Sequence, residues 1–315
     1  MIMHLFPEIN PYKEQFLKVD DTHEIYIEQV GNPKGTPVIF LHGGPGAGLS
    51  EIYRRYFNPE IYRIILFDQR GSGKSKPYCS VENNTSQSLI QDIKKISKEL
   101  EIEKFILYGG SWGSTLALLY AEEYPESIYS LVLRGIFLCR KKDIDWFYQN
   151  GASSIFPEHW NEFIKDIPEE ERKSFLSAYH KRIHGNDVIE SEKYSTKWAE
   201  WEGYCSTLLP SKKVVNQFSS CSASLAMIET HFFQNNCFID ENQILKNIKK
   251  IENIKTFIVH GRYDIVCPLN QAHDLQKKLN NSDLFVIDNA GHSLLEEGIT
   301  LKILEIFSDV QKLLG

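Results

Sequence analysis

Tyr108-Gly109-Gly110-Ser111-Trp112-Gly113-Ser114 is the stretch that decides how this 315-residue chain folds. An apolar run, 105–108, leads into it, and a helix-favouring run, 115–121, leads out. The stretch matches G-x-S-x-G in the context of strand, sharp turn and helix, which predicts that Ser111 is a nucleophile raised above a sheet edge. The glycines fit this reading because strand and helix pack closely at such a turn. A glycine-rich turn with an incidental serine is the alternative.

A nucleophilic serine of this kind needs backbone donors for an oxyanion. The turn points the N–H of Trp112 towards the place where the oxyanion would form. The second donor is expected from the glycine-rich loop 42–46, which follows the apolar run 37–41. We expect Gly44 to supply that N–H, with Gly43 as the alternative donor.

The serine also needs a base and an acid that orients the base. With a nucleophile at this kind of turn, the chain order is serine, acid, histidine. Asp264 and His292 follow two later strand-like runs, 256–260 and 284–287, so both are expected at the same sheet edge as Ser111. We predict Asp264 as the orienting acid and His292 as the base. His260 and Asp288 remain the competing candidates.

Composition limits the possible partners. The formal net charge is −7 and there is no Lys/Arg-rich block, so no nucleic-acid partner is expected. The six cysteines form no C-x-x-C pair, which predicts no metal site and favours a reducing compartment. The first sixteen residues have neither a basic start nor a long apolar run. We therefore expect a cytoplasmic protein without membrane association.

Strand-like and helix-like runs alternate at both ends of the chain but not in the middle. This alternation predicts a mostly parallel sheet covered on both faces, with further strands over 24–30, 61–67 and 128–133 and a helix over 86–100. Residues 139–240 contain no strand-like run and are rich in tryptophan interleaved with charge. We predict an α/β core of residues 1–138 and 241–315, with 139–240 inserted as a helical cap.

The motifs together resemble the α/β-hydrolase fold and, more narrowly, the proline iminopeptidases (prolyl aminopeptidases). The stretches that carry the resemblance are LFPEI at 5–9, HGGPG at 42–46, DQRGSGKS at 68–75, GGSWGS at 109–114, LRGIF at 133–137, WAEWEG at 198–203, IETHFF at 228–233 and GRYDIVCP at 261–268. They span nearly the whole chain, and those in the middle are the most specific. The resemblance implies an eight-stranded, mostly parallel sheet with helices on both faces and an inserted helical cap.

The resemblance also implies the reaction and the site. The reaction is release of N-terminal proline from short peptides, without metal or cofactor, by Ser111, His292 and Asp264. It gives Glu202 and Glu229 the task of binding the free α-ammonium, which is physically reasonable because a buried cation needs opposing charge. Glu200 is a nearby alternative. The other expected substrate-binding residues are Arg134, Phe137, Phe147, Tyr148, Val266 and Cys267.

The sequence departs from the family pattern at two places. Gln234-Asn235-Asn236-Cys237 replaces a glycine-bearing segment of the cap, and Ser72 replaces a usual cysteine. The first departure bears on the shape of a cap loop.

A serine esterase is the second functional interpretation, because an esterase needs the triad but not the two glutamates. An epoxide hydrolase or dehalogenase would carry aspartate in place of Ser111. A non-catalytic binding protein is disfavoured because all three triad residues are present. The oligomeric state does not follow from the sequence.

Overall fold

The computed structural model describes residues 5–314, in which eight strands form one sheet. The strands are β1 Lys13–Lys18, β2 Glu24–Gly31, β3 Thr36–Leu41, β4 Tyr62–Phe67, β5 Phe105–Ser111, β6 Ile128–Ile136, β7 Lys255–Gly261 and β8 Ser282–Ile287. Their order across the sheet is β1-β2-β4-β3-β5-β6-β7-β8. Strands β1, β2 and β4 pair antiparallel, and all other neighbours pair parallel. The carboxyl ends of β3 to β8 therefore share one edge.

Eleven α-helices accompany the sheet in the described residues. Those that flank the strands are α1 Ser86–Glu99, α2 Trp112–Glu123, α9 Gln243–Asn247, α10 Asn270–Gln276 and α11 Glu297–Leu314. Those between β6 and α9 are α3 Lys141–Tyr148, α4 Pro157–Ile164, α5 Phe175–Ile183, α6 Val188–Cys205, α7 Lys212–Ser220 and α8 Ser222–Gln234. Among residues 5–314, no helix is long and apolar enough to cross a membrane.

The two faces of the sheet belong to two hydrophobic cores. In β5, Phe105 and Leu107 face the core that contains α1 and α2. Ile106 and Tyr108, which alternate with them, face the core that contains α11. Because both faces are covered, the central strands are mostly apolar, and most of their polar groups lie near the strand ends.

The strands and the helix expected from the sequence are present, with shifted ends. Strand β6 continues past Leu133 to Ile136, and β5 continues to Ser111. Strand β1 was missed, since its sequence, KEQFLK, is mostly exposed at the sheet edge. The expected cap, 139–240, contains α3 to α8 and no strand. The expected outer limits of the core, residues 1 and 315, lie outside the described residues.

Candidate active site

Ser111 lies at the turn between β5 and α2 in a backbone conformation that is unusual for a residue with a side chain. Its φ is +58° and its ψ is −128°. A Cβ on Gly109 would lie 2.0 Å from the Gly113 carbonyl oxygen, and a Cβ on Gly113 would lie 2.3 Å from that of Leu41. Only glycine fits at these two positions, which explains the pattern around the serine. The strain at Ser111 is of the kind found at functional sites.

Asp264 and His292 lie against each other after β7 and β8. The Nδ1 of His292 is 2.7 Å from Oδ2 of Asp264, and both residues are buried. The backbone N–H of Cys267 donates to the other carboxylate oxygen at 2.8 Å. Burial acts to raise the pKa of Asp264, but the charge and hydrogen bond of His292 outweigh it and the net pKa is lowered. An ionised Asp264 fixes the proton on Nδ1 and leaves Nε2 of His292 as the acceptor.

The two competing candidates make their shortest hydrogen bonds elsewhere, although Nε2 of His260 lies 3.4 Å from Oδ2 of Asp264. His260 receives the N–H of Ile136 on Nδ1 at 3.1 Å, and its Nε2 is 2.8 Å from the carbonyl oxygen of Cys267. Burial lowers the pKa of His260, so this fully buried ring stays neutral. The carboxylate of Asp288 is exposed and accepts from Arg262 at 2.8 Å. The geometry therefore favours His292 as the base and Asp264 as its orienting acid.

Gly135 is a site residue that the sequence reasoning did not single out. Its φ is +54°, and a Cβ there would lie 2.9 Å from Cε1 and 3.0 Å from Nδ1 of His292. The end of β6 thus passes directly beside the His292–Asp264 pair. Gly135 could have been found from the sequence, because it follows the last residue of the expected strand, Leu133, by two positions.

A hydrogen-bond network joins the two loops expected to hold the oxyanion. Gln69 accepts from the indole of Trp112 at 2.9 Å and donates to the carbonyl oxygen of His42 at 2.9 Å. Nε2 of His42 accepts the backbone N–H of Gln69 at 3.0 Å. Burial lowers the pKa of His42 to about 4, so the ring acts as a neutral acceptor. Gly43 and Gly44 follow His42 and line a cavity with Ser111.

A small compartment opens beside Ser111 under α3, α6 and α8. Its lining contains Gly44, Ser111, Phe137, Asp143, Ile144, Phe147, Tyr148, Glu202, Glu229, Phe233, Val266 and Cys267. All the expected substrate-binding residues except Arg134 are among them. Burial raises the pKa of the Cys267 thiol well above its usual value, so the thiol is protonated and a weak nucleophile at neutral pH.

The sequence reasoning missed three of these lining residues. Phe233 follows Glu229 by four positions in α8, which places both on one helix face. Asp143 and Ile144 precede Phe147 and Tyr148 by four positions in α3. Helical spacing from the expected site residues was therefore the signal that could have found them.

Glu202 and Glu229 lie together in the compartment. The hydroxyl of Tyr148 donates to Glu202, and the indole of Trp198 donates to Glu229 at 2.6 Å. Burial raises the pKa of both carboxyl groups, and the negative charge of Glu202 acts in the same direction on the pKa of Glu229, which is raised well above its usual value. Glu200, the alternative, lies on the same helix but does not line the compartment.

A second cavity of about 540 Å³ adjoins the compartment and is open to solvent. Gly44, Ser111, Glu202 and Val266 line both spaces, so Ser111 stands at the junction. Arg134 lines the larger cavity and donates from Nη1 to the carbonyl oxygen of His292 at 2.7 Å. The remaining lining is mainly uncharged and includes Tyr53, Tyr78, Gln217, Ser220, Cys221 and Ser224.

The sheet order and the arrangement of Ser111, Asp264 and His292 are those of an α/β hydrolase, and comparison with known families gives the same class. A family model described as the alpha/beta hydrolase fold matches residues 36–299. The chain belongs to this family, which confirms the fold class that the sequence indicated.

Similar proteins define a narrower group. A proline iminopeptidase of Arabidopsis thaliana is 45% identical over 99% of this chain and 83% of its own length. A proline iminopeptidase of Xylella fastidiosa is 45% identical over 93% of this chain and 94% of its own length. A relative from Neisseria gonorrhoeae with the same name is 41% identical over 95% of this chain and 96% of its own. Within the α/β hydrolases, the chain belongs to the proline iminopeptidase family.

Solved structures share the fold at much lower identity. An esterase from Exiguobacterium antarcticum covers 95% of this chain and 100% of its own, with 21% identity and a TM-score of 0.66. A proline iminopeptidase from Mycobacterium smegmatis covers 96% of this chain and 100% of its own, with 14% identity and a TM-score of 0.61. These likenesses concern the fold alone.

Proposed function

We propose that this protein is a serine aminopeptidase that releases N-terminal proline from short peptides through an acyl-enzyme. The observation that carries the proposal is the small compartment, in which Ser111, the Glu202–Glu229 pair and a set of aromatic rings face one space. The nucleophile, a binding site for a cation and a site for a compact apolar ring are thus adjacent. The family names of the relatives support the same reading.

The first half of the proposed reaction forms the acyl-enzyme. The carboxyl groups of Glu202 and Glu229 hold the α-ammonium, and the proline ring packs among Phe137, Tyr148 and Phe233. Ser111 Oγ attacks the prolyl carbonyl carbon while Nε2 of His292 takes its proton, and Asp264 stabilises the resulting imidazolium. The backbone N–H of Trp112 and one from Gly43 or Gly44 stabilise the oxyanion. His292 then gives the proton to the leaving amine.

The second half hydrolyses the ester on Ser111. Water takes the place of the leaving peptide in the larger cavity, and His292 removes its proton as it attacks. Free proline leaves with the new carboxylate, and Ser111 regains its proton. No step needs a metal or cofactor, since the charges that form are met by His292 and backbone donors.

The position of the glutamates explains why the enzyme would remove only the first residue. The α-ammonium is two bonds from the scissile carbonyl carbon, so fixing this charge also places the carbonyl over Ser111. The compartment that holds the glutamates is small and buried, so a chain extending beyond the nitrogen has no space. In this proposal residues 139–240 are the cap that closes the site, and residues 1–138 and 241–315 are the core.

The six cysteines all lie within the described residues and are free thiols. We propose a cytoplasmic location on this basis, because free thiols persist in a reducing compartment.

The experiment that tests the proposal compares three substrates: a prolyl amide, its N-acetyl derivative and a small neutral ester. We expect efficient cleavage of the prolyl amide and a loss of kcat/KM by orders of magnitude on acetylation, because acetylation removes the charge that Glu202 and Glu229 would bind. Efficient cleavage of the acetylated compound would instead indicate a general serine hydrolase or esterase.

The nucleophile is tested separately with a fluorophosphonate probe. The unmodified protein and Ser177→Ala, an exposed serine on α5, should be labelled, whereas Ser111→Ala should not. Ser111→Ala should also lose on the order of 10⁶-fold in kcat if triad precedents hold. Labelling of Ser111→Ala would contradict the proposed nucleophile.

A further inference from the structure

The loop that follows α6 is joined to the loop that carries His292 by hydrogen bonds to a single carbonyl group. The carbonyl oxygen of Ser206, directly after α6, accepts the backbone N–H of His292 at 3.1 Å and that of Ser293 at 2.7 Å. Oγ of Ser206 donates to the carbonyl oxygen of Glu202 at 2.7 Å. The last turn of the helix that carries Glu202 is therefore attached directly to the backbone of His292.

Glu296 bridges the same two loops. Its Oε1 accepts the backbone N–H of Leu208 at 2.6 Å and that of Gly291 at 3.0 Å. Leu208 belongs to the loop after α6, and Gly291 precedes His292. Hydrogen bonds to a carboxylate are roughly twice as strong as neutral ones, so one side chain holds both segments firmly. Glu296 is not among the residues that line either cavity.

The two loops also lie too close together for any side chain to fit between them. A Cβ on Gly291 would lie 2.8 Å from the backbone nitrogen of Leu208 and 3.1 Å from Oε1 of Glu296. The same Cβ would lie 3.1 Å from the backbone carbonyl carbon of Thr207, an atom that takes no part in the hydrogen bonds of Glu296. This close approach shows that the spacing of the two loops is fixed by contact as well as by charge.

We propose that Glu296 is a positioning residue that sets the distance between the ammonium-binding Glu202 and the base His292. The inference rests on the proposed function, because this distance matters only for a substrate that needs both groups at once. A prolyl substrate is held at Glu202 and reacts beside His292, so a shift of α6 against the His292 loop moves its carbonyl away from Ser111. A small neutral ester needs only the triad and is less affected by the same shift.

The test measures kcat/KM of Glu296 variants on a prolyl amide and a small neutral ester. Glu296→Ala should lose about tenfold to 10²-fold on the prolyl amide, the scale of a misplacement of about 1 Å, and much less on the ester. Glu296→Gln keeps an oxygen acceptor and should retain most activity. Glu192→Ala, which removes an exposed carboxylate from α6, is the matched control and should be unchanged. Equal losses of Glu296→Ala on both substrates would overturn the proposal.

A double-mutant cycle with Glu202→Gln gives a second readout. If Glu296 acts by placing Glu202, Glu296→Ala should cost far less on the prolyl amide once Glu202 is already neutral. Full additivity of the two losses would contradict the proposal. Should Glu296→Ala fail to fold, Glu296→Asp shortens the bridging side chain by one methylene and should show a smaller loss with the same selectivity for the prolyl amide.

The two proposals fail differently. An unmodified protein that does not cleave the prolyl amide contradicts the proposed function. An unmodified protein that cleaves it, with Glu296→Ala equally active on it, contradicts only the role of Glu296.

Discussion

Glu202 and Glu229 are too close and too buried for both to be charged in the empty site. Burial raises the pKa of both groups, and the Glu202 carboxylate acts to raise the pKa of Glu229 further, so we predict that Glu229 is the partner that keeps a proton. The pair then carries one negative charge, which matches one ammonium. Because glutamine resembles the protonated Glu229, Glu229→Gln should cost less than about tenfold in kcat/KM on a prolyl amide.

Glu202→Gln should cost more, about 2–5 kcal/mol in kcat/KM, because it removes the carboxylate that is ionised. The check is kcat/KM of both variants at neutral pH, with the neutral ester as the control substrate. A greater loss in Glu229→Gln than in Glu202→Gln would show that the proton resides on Glu202.

At the scale of single residues, the sequence predicted most members of the candidate site but not their protonation states. Ser111, Asp264 and His292 follow from local motifs and chain order. Glu202 and Glu229 came from family resemblance, because nothing local distinguishes a buried glutamate from a solvated one. Their shared proton depends on a distance between α6 and α8, which a sequence does not contain.

The end of β6 restricts the position of the neighbouring His292 ring. Gly135 has a φ of +54° and no room for a Cβ beside the ring of His292. Gly135→Ala should therefore displace His292 and lower kcat/KM by about 10²-fold or more on both the prolyl amide and the ester. The strained backbone adds a cost of about 1–2 kcal/mol in stability.

Gly185→Ala is the matched control for this prediction. Its Cβ would meet carbonyl oxygens at 3.3 Å in the loop after α5, far along the chain from any triad residue. Activity and thermal midpoint should stay near those of the unmodified protein. Full activity in Gly135→Ala would mean that the loop of His292 adjusts freely.

Element types were predictable where hydrophobic pattern and turn chemistry agreed. Strands β3, β5 and β6 are apolar runs that end in glycine-rich turns, and they were identified with ends shifted by a few residues. Strand β1 was not identified, because KEQFLK lies at the sheet edge with most side chains exposed and has no continuous apolar run. It is a strand because it pairs with β2. The close approach of the Leu208 and Gly291 backbones is likewise tertiary information.

The stability of the whole molecule should respond to pH through Glu122, a buried group at the end of α2 opposite Ser111. Burial raises the pKa of Glu122, on α2, to about 7, and one of its oxygens has no hydrogen-bond partner among the described residues. Between pH 4.5 and 7 the folded protein keeps a proton that the unfolded chain has released, so the free energy of unfolding falls as pH rises. The loss is on the order of 3 kcal/mol by pH 8.

Glu122→Gln mimics the protonated form and should remove this part of the pH dependence. Thermal unfolding at pH 5 and pH 8 checks it: the variant should match the unmodified protein at pH 5 and exceed it at pH 8. Prolyl-amide cleavage should be unchanged. An identical pH dependence in both proteins would show that Glu122 is ionised in the fold without cost.

The unequal sizes of the two cavities set an order of departure for the products. In the proposed reaction the leaving peptide occupies the open cavity of about 540 Å³, while the prolyl group stays in the smaller compartment. The peptide can therefore diffuse away first, and the acyl group remains sealed on Ser111 until something enters from the vacated side. Water competes there with any amine small enough to fit. An added amine such as hydroxylamine should intercept the acyl group, so that the hydrolase becomes a prolyl transferase at high amine concentration.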